Sequence, residues 1–117
     1  AANPSKANGI TYCIGCFAEL GCNLEGLIDQ WSDRIHFVHF RNISGCLDDF
    51  VETFPDDGDV DLLNVLRKLK EVGYTGCIRP DHAPKLSGEY VEIEGYGFQG
   101  HIFTAGYLLG LLTAVAT

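Results

Sequence analysis

The sequence has few basic residues, which limits the partners it can bind. Its 117 residues include 8 Lys and Arg against 16 Asp and Glu, for a formal net charge of −8. Without a basic surface, contacts to phosphate backbones and adsorption to anionic membranes are both disfavoured, so we expect neither nucleic acid nor a membrane as partner. A small anionic substrate is compatible with this charge, because a metal ion and one or two arginines can hold it locally.

Long apolar runs and an even set of cysteines are also missing. The apolar run over residues 102–116 is shorter than the roughly 20 residues of a membrane span, so we expect a buried helix. Five cysteines form an odd and irregularly spaced set, which is unlike a disulfide framework. No signal-peptide pattern opens the sequence. These features predict free thiols in a cytoplasmic protein.

The order of apolar segments predicts the fold class. We expect strands over residues 10–14, 34–40 and 77–80. Two of the predicted helices cover residues 24–31 and 99–116. A third helix lies between them: it begins after Asp59 as N-cap, runs through Val72 and is terminated by Gly73. Residues 42–58 are expected to be a loop. Alternation of strands and helices favours parallel strands in an α/β fold. Because no repeat, low-complexity segment or linker interrupts the chain, we predict a single domain over residues 1–117.

Each predicted strand ends with a side chain that can bind a metal. Alternation along the second strand places Ile35, Phe37 and His39 on one face. Cys13 and Asp81 occupy the ends of the first and third strands. Since sites in parallel α/β folds form at the carboxyl ends of strands, the three side chains are expected to meet. Thiolate, imidazole and carboxylate together suit Mn²⁺, Fe²⁺, Co²⁺ or Zn²⁺. Each residue alone is more often structural.

Several motifs are similar to those of mannonate dehydratases. The segment RIHFVHFRN (residues 34–42) resembles the family's strand and loop with a metal-binding His, and IRPDH (78–82) resembles its Arg-Pro-Asp-His signature. GITYCIG (9–15) is similar to its Cys-bearing strand, DGDVD (57–61) to its lead into a helix, and GYG (95–97) to its tyrosine loop. Order and spacing agree over nearly the whole chain.

The resemblance implies a fold, a reaction and a set of site residues. The family is a xylose-isomerase-like TIM barrel that dehydrates D-mannonate to 2-keto-3-deoxy-D-gluconate, with a metal held by two His, one Cys and one Asp. By resemblance, the metal here is Mn²⁺ or Fe²⁺. The implied roles are metal binding for Cys13, His39 and Asp81, proton transfer for Asp81 and Tyr96, and contacts to the substrate or the metal's outer shell for Arg41, Arg79 and His82.

The chain is too short for a complete barrel. A TIM barrel takes about 250 residues, so 117 residues correspond to about three of its βα units, by resemblance the C-terminal three. The family's second metal-binding His lies upstream, and neither His36 nor His101 fits its position. We therefore expect a fragment, a complementary chain that completes the barrel, or an oligomer of this segment.

Three other functions fit parts of the sequence. A barrel fragment without activity would act as a binding or interaction module. The spacing Cys13-Ile-Gly-Cys16 between a strand and a helix is compatible with a thiol redox protein. A sugar isomerase of the same barrel class is the nearest enzyme alternative, although a thiolate ligand such as Cys13 favours the dehydratase.

Overall fold

A parallel three-stranded sheet with helices around it forms the centre of the molecule. The computed structural model describes residues 3–116, and Ala1, Ala2 and Thr117 lie outside the described residues. In chain order the elements are β1 (Ile10–Cys13), α1 (Ile14–Glu19), α2 (Leu24–Trp31), β2 (Ile35–Phe40), β3 (Asn42–Cys46), β4 (Asp49–Thr53), α3 (Leu62–Glu71), β5 (Cys77–Pro80) and α4 (Phe98–Ala116). The sheet order is β1-β2-β5, with β2 in the middle and all neighbours parallel. The predicted mixed α/β class is confirmed.

The start of α3 differs from the prediction. Asp61 is the N-cap, and its side chain accepts a hydrogen bond from the backbone N–H of Asn64 at 2.9 Å. Asp59 instead accepts from the hydroxyl of Ser44 and the N–H of Gly45. Both aspartates suit an N-cap by composition, so only the path of the neighbouring hairpin decides between them.

The predicted end of α3 at Gly73 is confirmed. Gly73 has φ +75°, a backbone conformation that is unstrained in glycine because glycine has no Cβ. Its N–H bonds to the carbonyl of Lys70, and the N–H of Tyr74 bonds to that of Leu69, both at 2.9 Å. This pair of bonds satisfies two carbonyls that the end of the helix leaves open. The short helix α1 ends in the same way at Gly21.

An antiparallel hairpin of β3 and β4 occupies the segment that was expected to be a loop. Cys46 faces Asp49 across the turn, and Gly45 faces Phe50. Gly45 has φ +102°, and a Cβ there would lie 2.2 Å from the carbonyl oxygen of Asp49. The prediction failed because acidic residues are rare in strands, whereas here their side chains reach solvent or basic partners outside the sheet.

A bulge in β2 changes which residues share a face. Ile10 pairs with Ile35, but the next residue, Thr11, pairs with Phe37, so His36 is an extra residue. Ile35 is consequently buried in the core and not beside Phe37, as simple alternation had predicted. His36 is exposed, and its ring nitrogen lies 2.9 Å from the carbonyl oxygen of Lys6.

The core lies between one face of the sheet and the helices α2 and α3, with one buried apolar residue each from α1 and α4. It consists of Tyr12, Ile14, Ile28, Ile35, Val38, Phe40, Leu62, Val65, Leu66, Leu69 and Leu108. The opposite face of the sheet carries Thr11, Phe37 and His39, which are not part of this core. Helices therefore cover the core face of the sheet, whereas the opposite face carries both polar and aromatic side chains.

The apolar helix α4 is largely exposed, contrary to the expected buried helix. Among its described side chains, only Gly100, Thr104 and Leu108 are buried. Large apolar residues face solvent, namely Phe98, Ile102, Phe103, Leu109 and Leu112. With 19 residues, α4 is also long and apolar enough by length and composition to cross a membrane, a test that core helices of soluble proteins pass as well. The predicted helix over residues 99–116 agrees with the observed bounds to within one residue.

Candidate metal centre

The three predicted ligands meet at the carboxyl ends of three neighbouring strands. Cys13 ends β1 and lies opposite His39 of β2 in the parallel register, and His39 in turn lies opposite Arg79 of β5. Asp81 directly follows β5, and its backbone N–H bonds to the carbonyl of Phe40. The sheet order alone therefore brings together Cys13, His39 and Asp81, hereafter the ligand cluster.

The spacing of the ligand cluster suits one small cation. One ligand atom from each residue lies within 4.8 Å of the others. The Oδ2 atom of Asp81 is 3.7 Å from Sγ of Cys13 and 3.5 Å from Nδ1 of His39. With metal–ligand bonds of about 2.0–2.3 Å, ligand atoms around one ion lie roughly 3–4 Å apart. The donor set and its dimensions fit a divalent transition metal.

Burial controls the chemistry of the Cys13 thiol. Cys13 is only 7% exposed, and loss of solvent is the main reason that its pKa rises to about 12. At neutral pH the thiol therefore keeps its proton unless a cation replaces it. Redox-active cysteines show the opposite shift, toward a lower pKa. The raised pKa of Cys13 therefore argues against a redox pair of Cys13 and Cys16.

Asp81 divides its two oxygens between different partners. Oδ2 faces Cys13 and His39, whereas Oδ1 accepts a hydrogen bond from Nη2 of Arg79 at 3.2 Å. Asp81 is buried, while the side chain of Arg79 is 45% exposed. Arg79 thus holds the carboxylate in position and still reaches solvent beside the ligand cluster.

The other predicted site residues form a second group around Glu52. The guanidinium of Arg41 contacts Glu52 through Nε at 2.9 Å and Nη2 at 2.5 Å, and it contacts Glu19 at 3.3 Å. Burial would lower the pKa of Arg41, but hydrogen bonds and charge from Glu52 outweigh this effect and hold it above its usual range. Nδ1 of His82 lies 2.9 Å from Oε1 of Glu52. We call Arg41, Glu52 and His82 the carboxylate bridge.

Tyr96 lies beside the carboxylate bridge. Its ring contacts His82 edge-on at 5.0 Å and stacks on His101 at 5.7 Å between ring centres. Tyr96 is 44% exposed. His101 lies in α4, and neither it nor His36 joins the ligand cluster. His82 and Glu52 also line an open cavity of about 480 Å³.

Glu52 and Glu19 were not foreseen as site residues. Glu52 was assigned to a loop, and no motif pointed to it. The one available signal was the pair of aromatic and β-branched residues Phe50 and Val51, which are residue types common in strands. Because its partners lie 11 and 30 residues away, only the folded chain shows the contact.

Comparison with known proteins identifies the family. Residues 1–117 match the family model described as D-mannonate dehydratase. The mannonate dehydratase of Oceanobacillus iheyensis is 42% identical over 125 residues, which cover 100% of this chain and 34% of the relative. That of Thermotoga maritima is 38% identical over 120 residues, covering 95% and 32%. The chain spans about a third of the length of the curated relatives it matches.

Solved structures give the same result. The crystal structure of mannonate dehydratase from Streptococcus suis superposes with a TM-score of 0.84 at 31% identity, covering 97% of this chain and 34% of that one. A D-tagatose 3-epimerase-like protein is similar with a TM-score of 0.72 at 26% identity, covering 96% and 37%. The match over the full chain and the agreement in structure lead to one conclusion: the chain belongs to the D-mannonate dehydratase family.

Proposed function

We propose that this chain is part of a metal-dependent lyase that converts D-mannonate to 2-keto-3-deoxy-D-gluconate. The observation that carries the proposal is the ligand cluster, in which three side chains from three strands converge to a spacing that suits one cation. The relatives that match the chain are named mannonate dehydratases, which supports this reaction over a sugar isomerisation. Because the chain spans a third of their length, we propose that the rest of the fold comes from further polypeptide or a partner chain.

We propose that β1, β2 and β5 are three successive strands of a TIM barrel. Their order in the sheet equals their order in the chain, and helices follow along each connection. Strands β1 and β5 each have one unpaired edge among the described residues, where further strands can add. The ligand cluster lies at the carboxyl ends of the strands, where barrel enzymes carry their sites.

Cys13, His39 and Asp81 are the proposed ligands, and Mn²⁺ or Fe²⁺ the proposed metal. A bound divalent cation would supply Lewis acidity toward the substrate's carboxylate and hydroxyl oxygens. A fourth protein ligand is expected from outside this chain. Both oxygens of Asp81 are engaged, by the cluster and by Arg79, so we propose metal binding as its first role and proton transfer as its second.

Elimination of water needs a proton acceptor and a proton donor. The C2–H proton leaves to a base, the C3–OH bond breaks, and the departing hydroxyl takes a proton to become water. The resulting enol then converts to the 2-keto product. We propose Tyr96 as the donor, because it is a partly exposed acid whose ring contacts His82, the residue that follows Asp81. Arg79 is proposed to hold the substrate's carboxylate, since its side chain is cationic and half-exposed next to Asp81.

Arg41 and His82 were predicted to contact the substrate or the metal's outer shell. We propose that only His82 contacts the substrate, because Arg41 is 5% exposed and bonded to two carboxylates. We further propose a cytoplasmic protein, in line with five free cysteines and the bacterial metabolic relatives.

A chimaera tests the proposed function. This chain replaces the matching third of the Oceanobacillus iheyensis relative, and formation of 2-keto acid from D-mannonate is followed with and without Mn²⁺. We expect Mn²⁺-dependent turnover that the Cys13→Ser variant loses. A folded chimaera without turnover would instead support the binding-module alternative. The chain alone serves as a parallel sample and is expected to be inactive.

A further inference from the structure

Glu52 connects two residues that come from different strand ends. Its Oε1 atom is 2.5 Å from Nη2 of Arg41, which follows β2, and 2.9 Å from Nδ1 of His82, which follows β5. Glu52 itself lies in β4 of the hairpin. One carboxylate oxygen therefore sets the distance between a residue beside β2 and a residue beside β5.

The contact determines which ring nitrogen of His82 carries a proton. A carboxylate can only accept hydrogen bonds, so Nδ1 of His82 must donate to Glu52. In the neutral ring this leaves Nε2 as an acceptor. The neutral side chain of a free histidine prefers the opposite arrangement, with the proton on Nε2. Glu52 thus selects the less common tautomer.

The carboxylate of Glu52 is itself held in place. Arg41 is 5% exposed, and its guanidinium donates to Glu52 from two nitrogens. A buried cation that loses its partner is strongly destabilised, so the pair resists separation. The Arg41 guanidinium also lies 5.5 Å from the centre of the Phe50 ring on the same strand as Glu52. Arg41 therefore acts as the anchor, and His82 is the residue whose position Glu52 adjusts.

We propose that Glu52 is a positioning residue that fixes the orientation and tautomer of His82, so that Nε2 accepts a hydrogen bond from a substrate hydroxyl. The second half of this statement rests on the proposed function, whereas the first half does not. No motif assigns Glu52 a role, and the proposal comes from its contacts alone. Hydrogen-bond partners of metal-ligating histidines typically contribute about 10–100-fold to activity or affinity, and we expect an effect of this size for Glu52.

The tautomer can be measured in the full chain by ¹⁵N NMR of the His82 ring, with no substrate or metal. We expect a protonated Nδ1 and an unprotonated Nε2. Glu52→Met removes the acceptor at similar size and should move the proton to Nε2. Glu19→Gln is the control, because Glu19 also accepts from Nη2 of Arg41, at 3.3 Å, and Glu52 remains in place as the partner of His82. It should leave the His82 spectrum unchanged.

A double variant covers the case in which Glu52→Met unfolds the chain. Arg41→Met combined with Glu52→Met removes both charges together, which is far less costly than leaving one buried charge alone. It should show the same change of tautomer as Glu52→Met, whereas Arg41→Met alone should retain the wild-type tautomer. The inference is overturned if wild-type His82 carries its proton on Nε2, or if the His82 ¹⁵N spectrum is the same in the wild type and in Glu52→Met.

Kinetics of the chimaera address the second half of the proposal. Glu52→Met should lower kcat about 10–100-fold with a smaller change in KM. An unchanged kcat together with a changed tautomer would show that Glu52 orders His82 without affecting the reaction. That result would overturn the second half of the proposal. If the parent chimaera has no turnover, the proposed function fails, but the NMR result still decides on the tautomer.

Discussion

Helices α3 and α4 both lie against the rest of the chain, yet they differ greatly in how many of their apolar side chains are buried. The ten-residue α3 has four apolar side chains that are at most 2% exposed, and its other face is polar. The nineteen-residue α4 is apolar all round and buries only three residues. An amphipathic helix is satisfied by one neighbouring surface, whereas a uniformly apolar helix requires cover on several sides. The α3 region is thus complete within this chain, and the α4 region is not.

The largest expected difference concerns two equal truncations. Leu66→Ala in α3 should lower the free energy of unfolding by about 2–5 kcal/mol, because Leu66 is 2% exposed and leaves a cavity. Leu109→Ala in α4 should change it by no more than about 0.5 kcal/mol, because Leu109 is 67% exposed. Urea denaturation of both variants measures the comparison. Equal losses in the free energy of unfolding of the two variants would mean that another copy of the chain covers α4 in solution.

Cys13, His39 and Asp81 are all supplied by this chain and none of them lies in α4, so the ligand cluster should bind metal without α4 being covered. Cys13→Ser should weaken Mn²⁺ binding by at least about 10–100-fold, because it removes the thiolate ligand. Cys77→Ser is the control, since Cys77 is exposed at the start of β5 and lies outside the cluster. Titration calorimetry gives the affinities. Equal binding by both variants would remove Cys13 from the ligand set.

The uncovered face of α4 should promote association. Leu109→Lys places a charge in the exposed apolar surface and should weaken self-association by about 10–100-fold, if one Leu contributes about 1.5–3 kcal/mol when buried. Gln30→Lys adds the same charge at an exposed position of α2 and should have little effect. Sedimentation at several concentrations distinguishes the variants. A wild-type chain that remains monomeric would show that α4 does not drive association of copies.

The smallest expected effect concerns the loop that joins the two regions. Glu89 accepts hydrogen bonds from the N–H groups of Gln99 and Leu86, and these bonds lower its pKa. A lowered pKa in the folded state means that the stabilisation is present above the usual value of 4.5 and is lost as pH falls through the folded pKa. Hydrogen-exchange protection of the Gln99 amide should therefore fall on acidification. Glu89→Gln should reduce this pH dependence, and an identical profile would contradict the role of Glu89.

Local signals in the sequence predicted much of the fold. The bounds of α2 and β5 and the end of α3 at Gly73 agree with the structure, because helical periodicity, short apolar runs and a C-terminal glycine act locally. The hairpin was missed because its pairing joins residues with weak strand propensity. The bulge at His36 was missed because a pattern of period two contains no information on an inserted residue.

The site divides in the same way. The residues of the ligand cluster could be named in advance, because each lies at or next to the end of a strand and parallel strands place their ends together. The contact between Glu52 and His82 could not, since it depends on the path of a hairpin between them. The exposure of α4 could not be predicted from the sequence either. An apolar run predicts a buried helix, but it does not show whether the same chain or another polypeptide buries it.

The place of His39 on the middle strand has a mechanical consequence. Strand β2 is the one strand of the described sheet that is hydrogen-bonded on both sides, while Cys13 and Asp81 come from the flanking strands. A cation held by all three side chains would cross-link the three strands of the sheet. Shear between neighbouring strands would then have to stretch metal–ligand bonds as well as hydrogen bonds. The same contacts that prepare the chemistry would stiffen the sheet that carries it.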